Sequence, residues 1–189
     1  MAAPLALALI HYPVLDKHGD VITSAVTNLD IHDIARTART YGVARYYLVT
    51  PAAEQVRVVE RILAHWQTGS GARYNPDRAE ALTLVRVVAD VAAALADFAA
   101  LTHATPLPVL TGARRTDGLS VQACRALREQ QPLLLLFGTG WGLADSFFAQ
   151  NWPVLEPVQG CGDYNHLPVR SAVAIILDRL LAAPSAETA

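Results

Sequence analysis

Residues 133–137 read Leu-Leu-Leu-Leu-Phe, an apolar run without polar alternation. A strand with one face in water alternates apolar and polar residues; a strand that is apolar throughout needs cover on both faces. The run gives way at once to Gly138-Thr139-Gly140-Trp141-Gly142, a sequence suited to a tight turn and poorly suited to an element interior. Leu5–Val14 and Leu107–Thr111 are also largely apolar, the first closed by Pro13 and a polar loop at Asp16–Asp20, the second by a loop from Gly112 to Gly118. Such segments require a sheet sandwiched between helices.

The intervening segments supply those helices. Asp30–Tyr41 sets Ile31, Ile34, Ala35 and Ala38 on one face and meets Gly42, a natural C-terminal stop. Ala44–Thr50 is rich in β-formers, and Ala52–Trp66 carries Val56, Val59, Ile62 and Leu63 at helical spacing. Thr68–Arg78 reads as a loop and Leu82–Val88 as a strand. Asp90 and Ser120 are placed to cap helices that run to Ala100 and Gln130. Leu143–Gln150 predicts a short helix, Val154–Val158 a sixth strand and Val169–Leu181 the last helix. Strand and helix alternate throughout, so the fold class is α/β: a mainly parallel sheet covered by helices on both faces.

The 189 residues fit a single domain, taken as 1–184 with a small, polar, fraying tail at 185–189. With 52% hydrophobic and 17% charged residues, the chain can bury a conventional core and is not globally disordered. A net charge of −2 argues against an overall basic coat for nucleic acid, though not against a local patch. Cys124 and Cys161 are the only cysteines; they form neither a zinc pattern nor a redox pair and read as buried free thiols. No metal site is expected. The apolar start, MAAPLALALIHYP, has no basic n-region and reads as a strand, not a leader. No apolar stretch reaches the ~20 residues of a membrane helix, and the expected compartment is the cytoplasm.

In parallel α/β sheets, ligands bind beyond the carboxyl ends of the strands. Three polar, glycine-bearing loops fall there: Thr111–Gly118, Gly138–Gly142 and Gln159–His166. Gly138-x-Gly140-x-Gly142 is faintly like a dinucleotide-binding turn, but it lacks the G-x-G-x-x-G spacing and lies far from the first strand.

These loops also carry a family resemblance. Phe137-Gly138-Thr139-Gly140-Trp141-Gly142-Leu143 is similar to the second knot motif of the SPOUT superfamily of RNA methyltransferases, which begins Phe-Gly and ends Gly-Leu. Glu156-Pro157 through Gly160, followed by Asn165–Ala172, resembles the third motif. Asp30–Gly42, with its Arg36-Thr37-Ala38 core and Tyr41-Gly42 end, resembles the first motif of the ribose-methylating branch. Asp30 and His32 stand where that branch has Asn and Gly, and Gly140 where it often has Glu. Gly162-Asp163-Tyr164 looks instead like the guanine-N1-methylating branch, without the Gly-Gly-Glu that follows there. The resemblance covers nearly the whole chain.

The resemblance implies a C-terminal deep trefoil knot, a homodimer, S-adenosylmethionine as cofactor, and an RNA substrate, tRNA or rRNA, methylated at guanine N1 or at a ribose 2′-hydroxyl. It assigns cofactor contact to Thr111, Gly112, Gly138, Thr139, Gly140, Leu155, Gly160, Tyr164, Asn165 and Leu167. Glycines there let backbone approach the ligand, and backbone amides at loop–helix junctions can bind its carboxylate. Catalytic roles fall to Arg36, which is aligned with the ribose branch's arginine, and to Asp163, a proton acceptor if a ring nitrogen is the target. His32 and His166 are acid–base candidates that read more readily as structural histidines. Trp141 fits either a stacking role or the core. Arg36, Arg39, Arg45, Arg114, Arg115 and Arg170 are candidates for a local phosphate-binding surface. The alternative is a non-catalytic RNA-binding or assembly module on the same fold.

Overall fold

The computed structural model describes residues 2–114 and 118–182. The chain opens with β1 (Leu5–Ile10), turns through a small hairpin of β2 (Val14–Leu15) and β3 (Val21–Ile22), and enters α1 (Asn28–Thr40). Then come β4 (Arg45–Val49), α2 (Ala53–Gln67), α3 (Ser70–Tyr74), α4 (Pro76–Leu82), β5 (Val85–Val88) and α5 (Val91–Thr102). The second half holds β6 (Leu107–Leu110), α6 (Val121–Arg128), β7 (Leu133–Gly138), α7 (Asp145–Phe148) and α8 (Val169–Leu181).

Five strands form one parallel sheet in the order β5-β4-β1-β7-β6. The chain winds outward from β1 to β5. Then α5 carries it to the opposite edge at β6, and β7 returns to fill the space beside β1. The strand order therefore reverses at β1 and β7, whose ends are flush, with Ile10 opposite Gly138. A reversal of this kind leaves a crevice at the carboxyl edge, because the connections leave in opposite directions.

The apolar strands explain both layers. Leu5, Leu7 and Leu9 of β1, with Leu133, Leu135 and Phe137 of β7, pack against α1, α2, α4, α6 and α8. The intervening Ala6, Ala8 and Ile10, with Leu134 and Leu136, pack against α5 and α7 through Phe98 and Phe147. Every residue of β1 is buried, and a fully buried leucine contributes about 1.5–3 kcal/mol.

The local signals for helix starts hold. Asp90 accepts from the Ala93 amide and Ser120 from the Ala123 amide. Gly42 takes φ +68°, as a helix stop requires. The first helix, however, starts at Asn28 under a Thr27 cap, before the expected Asp30. Three expectations need correction. Residues 68–78, read as a loop, contain α3 and the start of α4: Asn75 caps α4 and Pro76 sits in its first turn, where a missing N–H does no harm. Val154–Val158 is not a strand, since only Val154 and Leu155 form single bridges, to Leu110 and Leu119. Leu143–Gln150 keeps only the four helical residues of α7. Residues 115–117, including Arg115, and the tail from 183 lie outside the described residues. Among the described residues, no helix is long and apolar enough to cross a membrane.

Candidate functional site

A cavity of about 760 Å³ opens at the carboxyl edge where the strand order reverses. Its size lies within the range of small-molecule sites. The walls come from the loop after β6, the turn after β7, the segment before α1, and the approach to α8.

The turn after β7 is built by close backbone approach. A Cβ on Gly138 would lie 2.5 Å from the Leu143 nitrogen, and one on Gly140 2.8 Å from the Leu15 carbonyl oxygen. Gly140 and Gly142 also take φ of +58° and +117°. The turn is stitched down by Thr139 N–H to the Ile10 carbonyl (3.2 Å) and Trp141 N–H to the Leu15 carbonyl (2.9 Å). Side chains are excluded here because the returning backbone at Gly142–Leu143 and the hairpin already occupy the space.

A part-buried hydrogen-bond chain, ending on the fully buried His11, backs this wall. The Thr139 hydroxyl donates to the Ile10 carbonyl (2.9 Å), so it accepts from the Ser24 hydroxyl (2.5 Å). Ser24 then accepts from His11 Nδ1 (3.0 Å). The order is fixed from its end, because a carbonyl can only accept. The His11 proton therefore sits on Nδ1, and its buried Nε2 has no partner. Burial holds His11 neutral, with its pKa lowered to about 4, against a smaller opposing pull from Asp30. Sequence reasoning missed this chain: its members share no local spacing, and His11 read only as a residue in an apolar strand.

Asp30 is a second missed member of the wall. It is 5% exposed, yet its carboxylate is fully engaged. One oxygen accepts from the Thr27 hydroxyl (2.6 Å) and the other from Arg170 (3.1 Å). Arg170 reaches Asp33 as well (3.4 Å), which ties α8 to α1 beside the cavity. The expected phosphate surface is reduced accordingly. Arg39 pairs with Glu80, Arg45 with Asp97, and Arg170 with these two aspartates, while Arg36 and Arg114 have no ion-pair partner among the described residues.

Seven of the ten residues assigned to cofactor contact line the cavity: Thr111, Gly112, Gly138, Thr139, Gly140, Asn165 and Leu167. The hydroxyl protons and the backbone N–H groups of Thr111 and Thr139 are all committed to the Leu136 and Ile10 carbonyls, so these two residues offer a ligand acceptors and not donors. Leu155, Gly160 and Tyr164 fall outside the lining. Leu155 is fully buried in the core, Gly160 is exposed, and Tyr164 is 82% exposed. Neither Arg36, exposed on α1, nor Asp163, exposed in the loop before α8, lines the cavity of its own chain.

His32 packs edge-on to Trp66, outside the cavity lining, with its buried Nδ1 lacking a hydrogen-bond partner and its pKa lowered by burial and by nearby Arg78. His166 is exposed at the cavity wall. Trp141 is 53% exposed and not a core residue. Cys124 is buried, and burial pushes its thiol up to about 11, whereas Cys161, expected buried, is exposed.

A model of the SAM-dependent RNA methyltransferase family matches residues 4–182. A tRNA (guanine-N(1)-)-methyltransferase from Nitratidesulfovibrio vulgaris is 45% identical over 177 residues, covering 94% of this chain and 42% of its own. The chain thus spans less than half the length of that relative. An uncharacterized protein from Aquifex aeolicus is 40% identical over 92% of this chain and 86% of its own. The SpoU methyltransferase AviRb from Streptomyces viridochromogenes, solved in complex with AdoMet, shares the fold with a TM-score of 0.54 and 18% identity, covering 96% of this chain and 58% of its own. The family match runs through both strand layers and every cavity loop, and on it the chain belongs to the SAM-dependent RNA methyltransferases, with a SPOUT-type fold.

Proposed function

We propose that the chain binds S-adenosylmethionine in the 760 Å³ cavity and methylates RNA, with tRNA as the first candidate and rRNA as the second. The observation that carries this reading is the glycine-built wall at the sheet's reversal, where a Cβ at Gly138 would collide with backbone. A flat, backbone-lined wall admits a planar heterocycle and offers it amides and carbonyls. When bound, the cofactor supplies an electrophilic methyl group on a sulfonium. The protein's part is to hold that methyl and the acceptor atom in line and to exclude water. Gly138 and Gly140 give close backbone approach, and Asn165, bonded to the Ala113 carbonyl (3.3 Å), holds two cavity loops together. The tRNA assignment follows the activity of the Nitratidesulfovibrio vulgaris relative, which this chain matches over part of that relative's length.

The knot belongs to the same proposal. Leu110 accepts from and donates to residues 153–155, while Leu119 donates to Val154 and accepts from Glu156. Residues 153–156 thus lie between the two ends of the 110–119 stretch, as a strand threaded through a loop does. A Cβ on Gly118 would lie 2.7 Å from the Glu156 nitrogen, consistent with a tight passage. A homodimer is part of the same proposal, and Arg36 is what supports it. Arg36 is exposed, unpaired among the described residues and outside its own cavity, so a second copy gives it access to an acceptor. With Arg36 in that role the acceptor is a ribose hydroxyl; with Asp163 it is a ring nitrogen. The enzyme would act in the cytoplasm, where its RNA is.

The test is transfer of label from tritiated S-adenosylmethionine to unfractionated bacterial tRNA, followed by nucleoside digestion. Labelled 1-methylguanosine or a 2′-O-methylnucleoside is the expected product. Absence of transfer to both tRNA and rRNA by protein that binds the cofactor product would overturn catalysis.

A further inference from the structure

At the mouth of the cavity, three rings that could be buried are held in solvent. Trp141 is 53% exposed and Tyr164 82% exposed, and His166 between them is also exposed. His166 meets Trp141 edge-on at 6.3 Å between centroids and Tyr164 at 5.9 Å, so the three form a contiguous strip. The Arg114 guanidinium lies over the Trp141 ring at 5.6 Å. Leu167, 44% exposed, extends the apolar border.

The strip is held in place. Trp141 sits in the stitched turn, its N–H on the Leu15 carbonyl. The Asn165 amide, between Tyr164 and His166, bonds to the Ala113 carbonyl next to Arg114. Loops after β6, after β7 and before α8 thus deliver one element each to the same spot. An exposed aromatic cluster on a folded chain marks a partner's position. Arg114 covers one face of Trp141, and the edge-on and tilted ring contacts are not stacked pairs that would occupy both faces of any ring. This chemistry suits a nucleotide: faces for the base and a guanidinium for its phosphate. Trp, Tyr and Arg are also enriched at subunit interfaces; the nucleotide is favoured because Trp141, His166 and Arg114 all line the cavity where the acceptor must arrive.

We propose that Trp141, His166 and Tyr164 are the stacking platform for the RNA nucleotide delivered to the cavity, with Arg114 engaging its phosphate. This inference rests on the methyltransferase reading, since it places the acceptor beside the cofactor site. It assigns base recognition to faces, not to edge hydrogen bonds, so the platform tolerates base identity and positions the nucleotide for attack.

The experiment titrates unfractionated bacterial tRNA into wild-type protein and into Trp141→Ala, Tyr164→Ala and Trp141→Phe, without cofactor, by fluorescence anisotropy. The same proteins are titrated with S-adenosylhomocysteine and weighed by sedimentation. Trp141→Ala should weaken tRNA roughly 10-fold, the order of one lost stack, and exceed any loss on S-adenosylhomocysteine. Trp141→Phe should recover most of it, and Tyr164→Ala should weaken tRNA by a smaller factor. Unchanged tRNA affinity in both alanine variants overturns the platform. So does a loss on S-adenosylhomocysteine as large as that on tRNA, which makes Trp141 a cofactor wall, or dissociation of an oligomer by Trp141→Ala, which makes the strip a subunit contact. Failure of wild-type protein to bind S-adenosylhomocysteine overturns the methyltransferase reading and leaves the tRNA comparison to decide the platform.

Discussion

The turn 138–142 and the loop 159–167 are alike in composition and unlike in construction. In the first, added Cβ atoms at Gly138 and Gly140 meet backbone within 3 Å, and the chain is bonded to both β1 and the hairpin. In the second, a Cβ on Gly162 meets nothing within 4 Å, and one on Gly160 comes no closer than 3.6 Å to the Tyr164 carbonyl oxygen. Residues 157–167 make no backbone–backbone hydrogen bond among the described residues, and Asn165 supplies the tether. Glycine in the first is demanded by the lack of space; in the second there is room for a side chain. The comparison teaches that a wall and a rim can be written in the same residues, and that close approach identifies the wall.

The sharpest break of this contrast is Gly138→Val. Its side chain must displace backbone at Leu143, so S-adenosylhomocysteine binding should vanish in calorimetry, a loss of at least about 100-fold. Gly162→Ala, in open space, should stay within about threefold of wild type. Similar losses in both variants would erase the distinction.

The wall's rigidity makes the next prediction. His11 titrates near its ordinary 6.5 when unfolded and at about 4 when folded. Between those values the unfolded chain binds more protons, so stability falls as pH drops through the window and is unaffected by this group above it. The full loss below pH 4 is about 3 kcal/mol. Urea unfolding at pH 7 and pH 4.5 should show it, and His11→Gln should flatten the dependence; burial of His32 leaves a residue of the same sign.

A smaller effect belongs to the wall's hydrogen bonds. Thr139→Val leaves the Ser24 hydroxyl without its acceptor and should cost about 1 kcal/mol in the same unfolding measurement. Asn165→Ala, at the rim, has one exposed bond to lose and should fall below that.

What was legible in the sequence follows the range of the forces. The apolar cores of the five sheet strands and Val169–Leu181 stand, because burial on both faces and helical periodicity are written locally; the bounds differ, with the first strand stopping at Ile10 instead of Val14 and Leu82–Val88 giving up Leu82 to α4. Asp90 and Ser120 cap as read, because a cap is a contact with the third residue on. Residues 68–78 misled through their glycines: a Cβ on Gly69 would meet the His65 backbone and one on Gly71 the His65 and Trp66 rings, so these glycines mark close packing against the end of α2 and not a loop. Val154–Val158 misled because its apolar residues meet Leu110 and Leu119 through single bridges, and apolar content alone does not distinguish those from a ladder. In the site, the cavity-lining glycines were readable from strand–turn junctions. The Asp30–Arg170 pair and the His11–Ser24–Thr139 chain were not, since each joins residues far apart in sequence.

The most direct measurement is calorimetry of the purified chain with S-adenosylhomocysteine. A cavity built to hold the cofactor gives dissociation constants near the micromolar range, on the order of −8 kcal/mol. No heat and no binding at millimolar ligand would contradict the account at its centre, since the glycine wall would then enclose some other ligand.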